Sequence, residues 1–127
     1  MFFACKSATR AGVFLSGLAA LPFVYGAGVK FWESPGVVRT FERYGWPEPM
    51  IRTLAILEIC SLALYLIPQV SILGAILLTG FLGGAIATHL RIGEPVYLHV
   101  AIGILLWAGL FLREPRLRVL IPIRGRE

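Results

Sequence analysis

Four stretches of the chain, about residues 11–29, 50–67, 70–90 and 96–112, are apolar almost throughout, and polar residues gather in the gaps between them. Each is close to the length a helix needs to cross a hydrocarbon core. The first follows a short basic segment holding Lys6 and Arg10, then runs without a charge from Ala11 to Val29. A cleavable signal peptide has the same basic-then-apolar shape, and Gly26-Ala27-Gly28 would pass for its cleavage region. The run is long for a signal and three more follow it, so a retained first helix is predicted. Gly12, Ser16 and Ala20 give that helix a small face for a neighbour.

The gap from Lys30 to Pro49 is the one long polar segment. Ser34 before Pro35 reads as an N-cap with proline at the first helical position. Val37, Val38, Phe41 and Tyr44 recur at helical spacing against Arg39, Glu42 and Arg43, and Gly45 is a natural stop. A short amphipathic helix in the membrane interface is expected, with Trp32, Tyr44 and Trp46 at headgroup level. Its role is that of a connector or of a lid over a pocket. The remaining gaps are tight turns, Pro68-Gln69 and Arg91 to Pro95, which make the last three spans antiparallel neighbours. The predicted architecture is all-α: one domain over residues 1–127, an integral membrane four-helix bundle with an interfacial helix between the first two spans.

The third span carries Gly80 and Gly84 four apart, and Gly83 and Ala87 likewise. This small-xxx-small spacing predicts a face where helix backbones approach closely. The same helix then runs into His89, Arg91 and Glu94, so it delivers polar groups to a membrane edge.

Composition agrees with a lipid-embedded chain. Hydrophobic residues make up 57% and charged residues 15%, where a soluble domain has about a quarter charged. The net charge of +5 does not point to nucleic acid, because the basic residues sit mostly at the ends of apolar runs. Lys6, Arg10 and the tail arginines 113, 116, 118, 124 and 126 share one side of a four-span topology. The positive-inside rule then favours cytoplasmic termini. The tail, with Leu117, Leu120 and Ile121 between arginines and Pro122 as a stop, suits a surface helix on anionic lipid. Cys5 and Cys60 make no CxxC or zinc spacing and fall at different depths, so no disulfide is expected.

The ionisable residues cluster toward the outer end. Glu58 lies eight residues past Met50, about 12 Å along the helix and within the outer half of the core. An intramembrane carboxylate is a functional candidate by default. Arg52, six residues away, points elsewhere around the helix, so Glu58 should look across the bundle toward a histidine, Arg91 or Lys30. Glu58 and His89 are the candidate proton-handling groups, and His99, Arg91, Glu94 and Lys30 the candidate ligand-binding ones. The plainer readings are an ion pair that only holds helices in register, snorkelling anchors, and a charge pair across a turn. No HExxH or ExxH spacing supports a metal site, and no P-loop, nucleophile elbow or dinucleotide fingerprint is present.

Several motifs resemble the DoxX-like family of small bacterial four-helix membrane proteins. They are Gly45-Trp46-Pro47, Glu58, Ile67-Pro68, Gly83-Gly84-Ala85, Ala87-Thr88-His89-Leu90-Arg91, Gly93-Glu94-Pro95, and Arg113 to Arg118 with Leu120-Ile121-Pro122. The family takes its name from a subunit of an archaeal thiosulfate:quinone oxidoreductase. The resemblance thus implies a subunit of, or accessory to, a quinone-linked redox complex in a bacterial inner membrane, with quinone as the candidate cofactor. Phe81, Leu82 and the glycine face would line a slot for its tail. A structural or assembly subunit and a proton-coupled carrier are the alternatives. Membrane lipid, further copies of the chain or a partner membrane protein are the expected associates.

Overall fold

The computed structural model describes residues 2–120. Among them are six α-helices, in order α1 (Phe2–Trp32), α2 (Pro35–Tyr44), α3 (Glu48–Leu66), α4 (Ser71–Arg91), α5 (Tyr97–Arg113) and α6 (Pro115–Leu120). A 3₁₀ turn over Pro68–Val70 joins α3 to α4, and no strand occurs among the described residues. Among the described residues three helical segments are long and apolar enough to cross a membrane: Lys6–Trp32, Glu48–Leu66 and Pro68–Arg91. The fourth apolar stretch, α5, has 17 residues. It rises about 25 Å, somewhat less than a core about 30 Å thick.

The first helix begins earlier than the apolar pattern suggests. It runs unbroken through the basic segment from Phe2, so Lys6 and Arg10 stand on helix rather than on a leading tail. Gly26-Ala27-Gly28 lies inside the same helix. Pro22 also stands within it and cannot donate to the carbonyl of Leu18 four residues back.

Local sequence accounts for α2. Ser34 Oγ accepts from the Val37 amide at 3.4 Å, and Pro35 opens the helix. At the other end Gly45 is left-handed (φ 86°). Its amide donates to Glu42, and that of Trp46 to Phe41, which ties off the last carbonyls in a Schellman motif.

The four long helices contact one another in a ring: α1 with α3 and α5, α3 with α4, and α4 with α5. Their shared core contains Phe23, Leu62, Tyr65, Leu78, Leu82 and Leu106. Outward from it, Phe14, Tyr25, Leu57, Ile76 and Ile104 are exposed, as lipid-facing positions should be.

Glycines set two close crossings. A Cβ on Gly109 would stand 2.7 Å from the Ser16 amide nitrogen, and one on Gly12 2.7 Å from the Gly109 carbonyl oxygen. The small face of α1 therefore meets α5. Gly74 makes a second close approach, against the backbone of Tyr65. The glycines of the third span do not act this way. A Cβ on Gly80, Gly83 or Gly84 would meet nothing within 4 Å. Because Leu78 and Leu82 turn into the core, Gly80, Gly83, Gly84 and Ala87 are left on the outer side of α4. The expected packing face thus packs on no helix among the described residues.

The arginines near the C-terminus do more than carry charge. Arg113 donates to the Tyr65 carbonyl at 2.5 Å. Arg118 donates to the carbonyls of Phe111 and Leu112, which end α5. Leu117 of α6 is buried and Leu120 is exposed. The rest of the tail, including Ile121, Pro122, Arg124 and Arg126, lies outside the described residues, as does the side chain of Cys5.

Candidate functional site

Two polar clusters occupy the part of the molecule where α1 and α4 finish and α3 and α5 begin. The deeper one joins α1 to α3. Lys30 Nζ donates to Glu58 Oε2 at 2.6 Å, and both side chains are largely buried (12% and 4% exposed). Lys30 also donates to the Gly26 carbonyl at 3.2 Å and stands 5.4 Å from the centre of the Phe81 ring. Gly26 makes room for the pair, since a Cβ there would lie 2.9 Å from Glu58 Oε1. Glu58 does look across to a neighbouring helix, and the side chain it finds is Lys30. Arg52 stands 3.7 Å from Glu33 instead.

The second cluster is at the rim. His89, in the last turn of α4, faces His99 of α5 with ring centres 4.4 Å apart. Tyr44, the last residue of α2, covers His89 at 4.9 Å. His89 Nδ1 is 2.7 Å from the Ala85 carbonyl. A carbonyl can only accept, so the proton of a neutral His89 ring is assigned to Nδ1. Its Nε2 is then a lone pair, and it faces Glu94 Oε2 at 3.7 Å. Two acceptors turned toward each other call for a proton on the ring or a hydroxyl between them. The Nδ1 of His99 is buried without a hydrogen-bond partner.

Contacts from α2 surround these rings. Arg43 pairs with Glu94, and Arg91 donates to the Tyr44 carbonyl. The Trp46 indole donates to Thr88 Oγ1 at 3.4 Å. Arg91 and Glu94 therefore each reach α2 rather than pairing across their own turn. The candidate residues fall into two groups: His89, His99, Arg91 and Glu94 at the rim, and Glu58 with Lys30 below. Among the described residues no hydrogen bond or ion pair joins the two. Nor does any group of three or more His, Cys, Asp or Glu side chains there come together in a way that would hold a metal ion. An open hollow of about 350 Å³, lined by Glu33, Glu48, Pro49 and Arg52, lies beside the start of α3 rather than at the histidines.

Three participants escape a reading of sequence alone. Gly26 stands one turn before Lys30, and that spacing is its only local signal. Tyr44 and Arg43 are visible as the last turn of an amphipathic helix, but their partners are 45 to 51 residues away in sequence.

The DoxX-like family matches the chain over residues 14–112. No curated protein and no solved structure matches it.

Proposed function

The chain belongs to the DoxX-like family of membrane proteins, and from that premise we propose that it is a small subunit of, or accessory to, a quinone-linked redox complex. In this reading α1, α3, α4 and α5 form a four-span bundle in a bacterial inner membrane, with α2 in the outer interface. Both termini lie in the cytoplasm, where Lys6, Arg10 and the C-terminal arginines favour them. The rim histidines take the head of a hydroquinone. One observation carries the proposal: His89 is held by the Ala85 carbonyl with a free Nε2 aimed at a carboxylate. Such a nitrogen accepts the proton of a phenolic hydroxyl, and Glu94 stabilises the imidazolium that results. Oxidation to the quinone releases the proton of the second hydroxyl to water at the rim, and the two electrons reduce an electron-accepting subunit of the complex. The Lys30–Glu58 pair supports a second, structural role for the same chain, as a tie that fixes α1 against α3.

The test is calorimetric binding of a short-chain hydroquinone to the protein in lipid nanodiscs. Wild type should bind saturably, and His89→Ala should weaken binding roughly three- to tenfold, the worth of one hydrogen bond. A double Lys30→Met, Glu58→Leu variant should bind as wild type does. Absence of saturable binding to wild type would overturn the redox reading and leave the structural role standing.

A further inference from the structure

The helix whose last residue lies on the His89 ring is held differently from every other long element. None of the ten residues of α2 is buried. Both of its ends turn at a single left-handed residue, Glu33 (φ 45°) before it and Gly45 (φ 86°) after it. A left-handed glutamate is uncommon, and such single-residue turns are where a rigid element pivots. Side-chain attachment to α4 and the α4–α5 turn comes from the end of α2 and the residues just after it. There Arg43 meets Glu94, Arg91 reaches the Tyr44 carbonyl, the Tyr44 ring lies on His89, and Trp46 reaches Thr88. Gly45 is also where Arg91 passes, since a Cβ there would lie 2.6 Å from its guanidinium.

We infer that α2 is a lid over the His89 ring of the His89–His99 pair, pivoting at Glu33 and Gly45 and latched shut by Arg43 to Glu94 and Arg91 to the Tyr44 carbonyl. Its gating role rests on the proposed function of the histidines; the covering of His89 does not. The latch is built to open. The Arg43 side chain is 64% exposed, and exposed ion pairs hold weakly, so an open form lies within reach of ordinary local fluctuation. Opening removes Tyr44 from the His89 face and frees Glu94, which admits a ligand head from the water side.

Covering can be read without any ligand. The chain has two histidines, so carbethoxylation by diethyl pyrocarbonate in nanodiscs, with mass spectrometry assigning adducts to His89 and His99 individually, reports on this site. When opening and closing are fast, the rate at His89 follows the open population. Arg43→Ala should raise it roughly two- to fivefold, the worth of one exposed ion pair. Arg43→Lys and Arg39→Ala, the latter removing an equal charge from the same helix, should leave it near wild type. As a second measure, Arg43→Cys with Glu94→Cys, in a background with Cys5 and Cys60 changed to serine, is bridged by a short bismaleimide. Bridged protein should be protected relative to the same variant unbridged. Equal rates in Arg43→Ala and wild type, or in bridged and unbridged protein, would overturn the lid. So would a wild-type His89 that reacts as fast as free imidazole. Loss of hydroquinone binding leaves these rates unaffected, so the two proposals fail separately.

Discussion

Lys30 reaches Glu58 across the α1–α3 interface, with Nζ 2.6 Å from Oε2 and the Gly26 carbonyl taking a second ammonium hydrogen at 3.2 Å. The arrangement depends on a missing side chain, because any β-carbon at Gly26 would press on the carboxylate. Two charges at this depth are tolerable only together. Each neutralises the other where water cannot.

Breaking that pair from one side should be costly, while removing both charges should not. Lys30→Met leaves a carboxylate without its cation, and a loss of about 3–5 kcal/mol is expected. The double variant Lys30→Met, Glu58→Leu should recover most of this, because an apolar contact replaces the pair without a stranded charge. Denaturant unfolding in micelles measures both. A single variant as stable as wild type would mean the pair holds nothing.

The glycines make opposite predictions according to what surrounds them. Gly109→Ala forces a β-carbon against the α1 backbone at Ser16, and overpacking of this kind costs about 1–3 kcal/mol. Gly83→Ala meets open space and should gain up to about 1 kcal/mol from helix propensity. Unfolding midpoints that fell equally in both variants would place Gly83 in a contact of its own.

That contrast marks where the sequence stops being legible. The apolar runs of α1, α3 and α4 can be read directly, because lipid demands uninterrupted length, while α5 matches in place but rises less than the core is thick. The ends of α2 were equally plain in Ser34-Pro35 and Gly45, whose signals are local. The spacing of Arg52 and Glu58 correctly sent Glu58 to another helix. The inward face of α4 could not be read in the same way. Glycine serves a tight crossing and a lipid-facing surface alike, and only the placement of Leu78 and Leu82 in the core decides between them. The lid reading of α2 is legible in its amphipathic pattern, but not that it lies on His89, since that docking depends on contacts such as Arg91 to Tyr44, 47 residues apart.

Acid should act on the C-terminal end through Glu114. Arg116 donates to its carboxylate at 2.8 and 3.0 Å, and this hydrogen-bonded guanidinium holds the carboxyl below its usual range. A folded-state value depressed in this way adds stability above the unfolded value, and that stability is lost as pH falls through the folded one. The Arg116 side chain is 65% exposed, so solvent screening keeps the gain at neutral pH small. Glu114→Gln should be less stable than wild type at pH 7, with the difference closing in strong acid. Thermal unfolding at the two pH values checks this, and a constant difference would exclude the ion pair as its source.

Tyr65 anchors the opposite end of the bundle from the histidines, and its two halves can be tested apart. The hydroxyl donates to the Leu106 carbonyl at 2.7 Å and lies 3.0 Å from Ser16 Oγ, linking α3 to both α5 and α1. The ring is fully buried and lies 4.7 Å from the Arg113 guanidinium. Tyr65→Phe removes only the hydroxyl. The Leu106 carbonyl keeps its place in the α5 ladder and Ser16 can turn back to its own helix, so the loss should be near about 1 kcal/mol. Tyr65→Ala also opens a cavity and leaves Arg113 without its stacking surface, for which about 3–5 kcal/mol is expected. If unfolding showed the two substitutions costing the same, the hydroxyl would hold these helices together, and the packing of ring against guanidinium would contribute nothing.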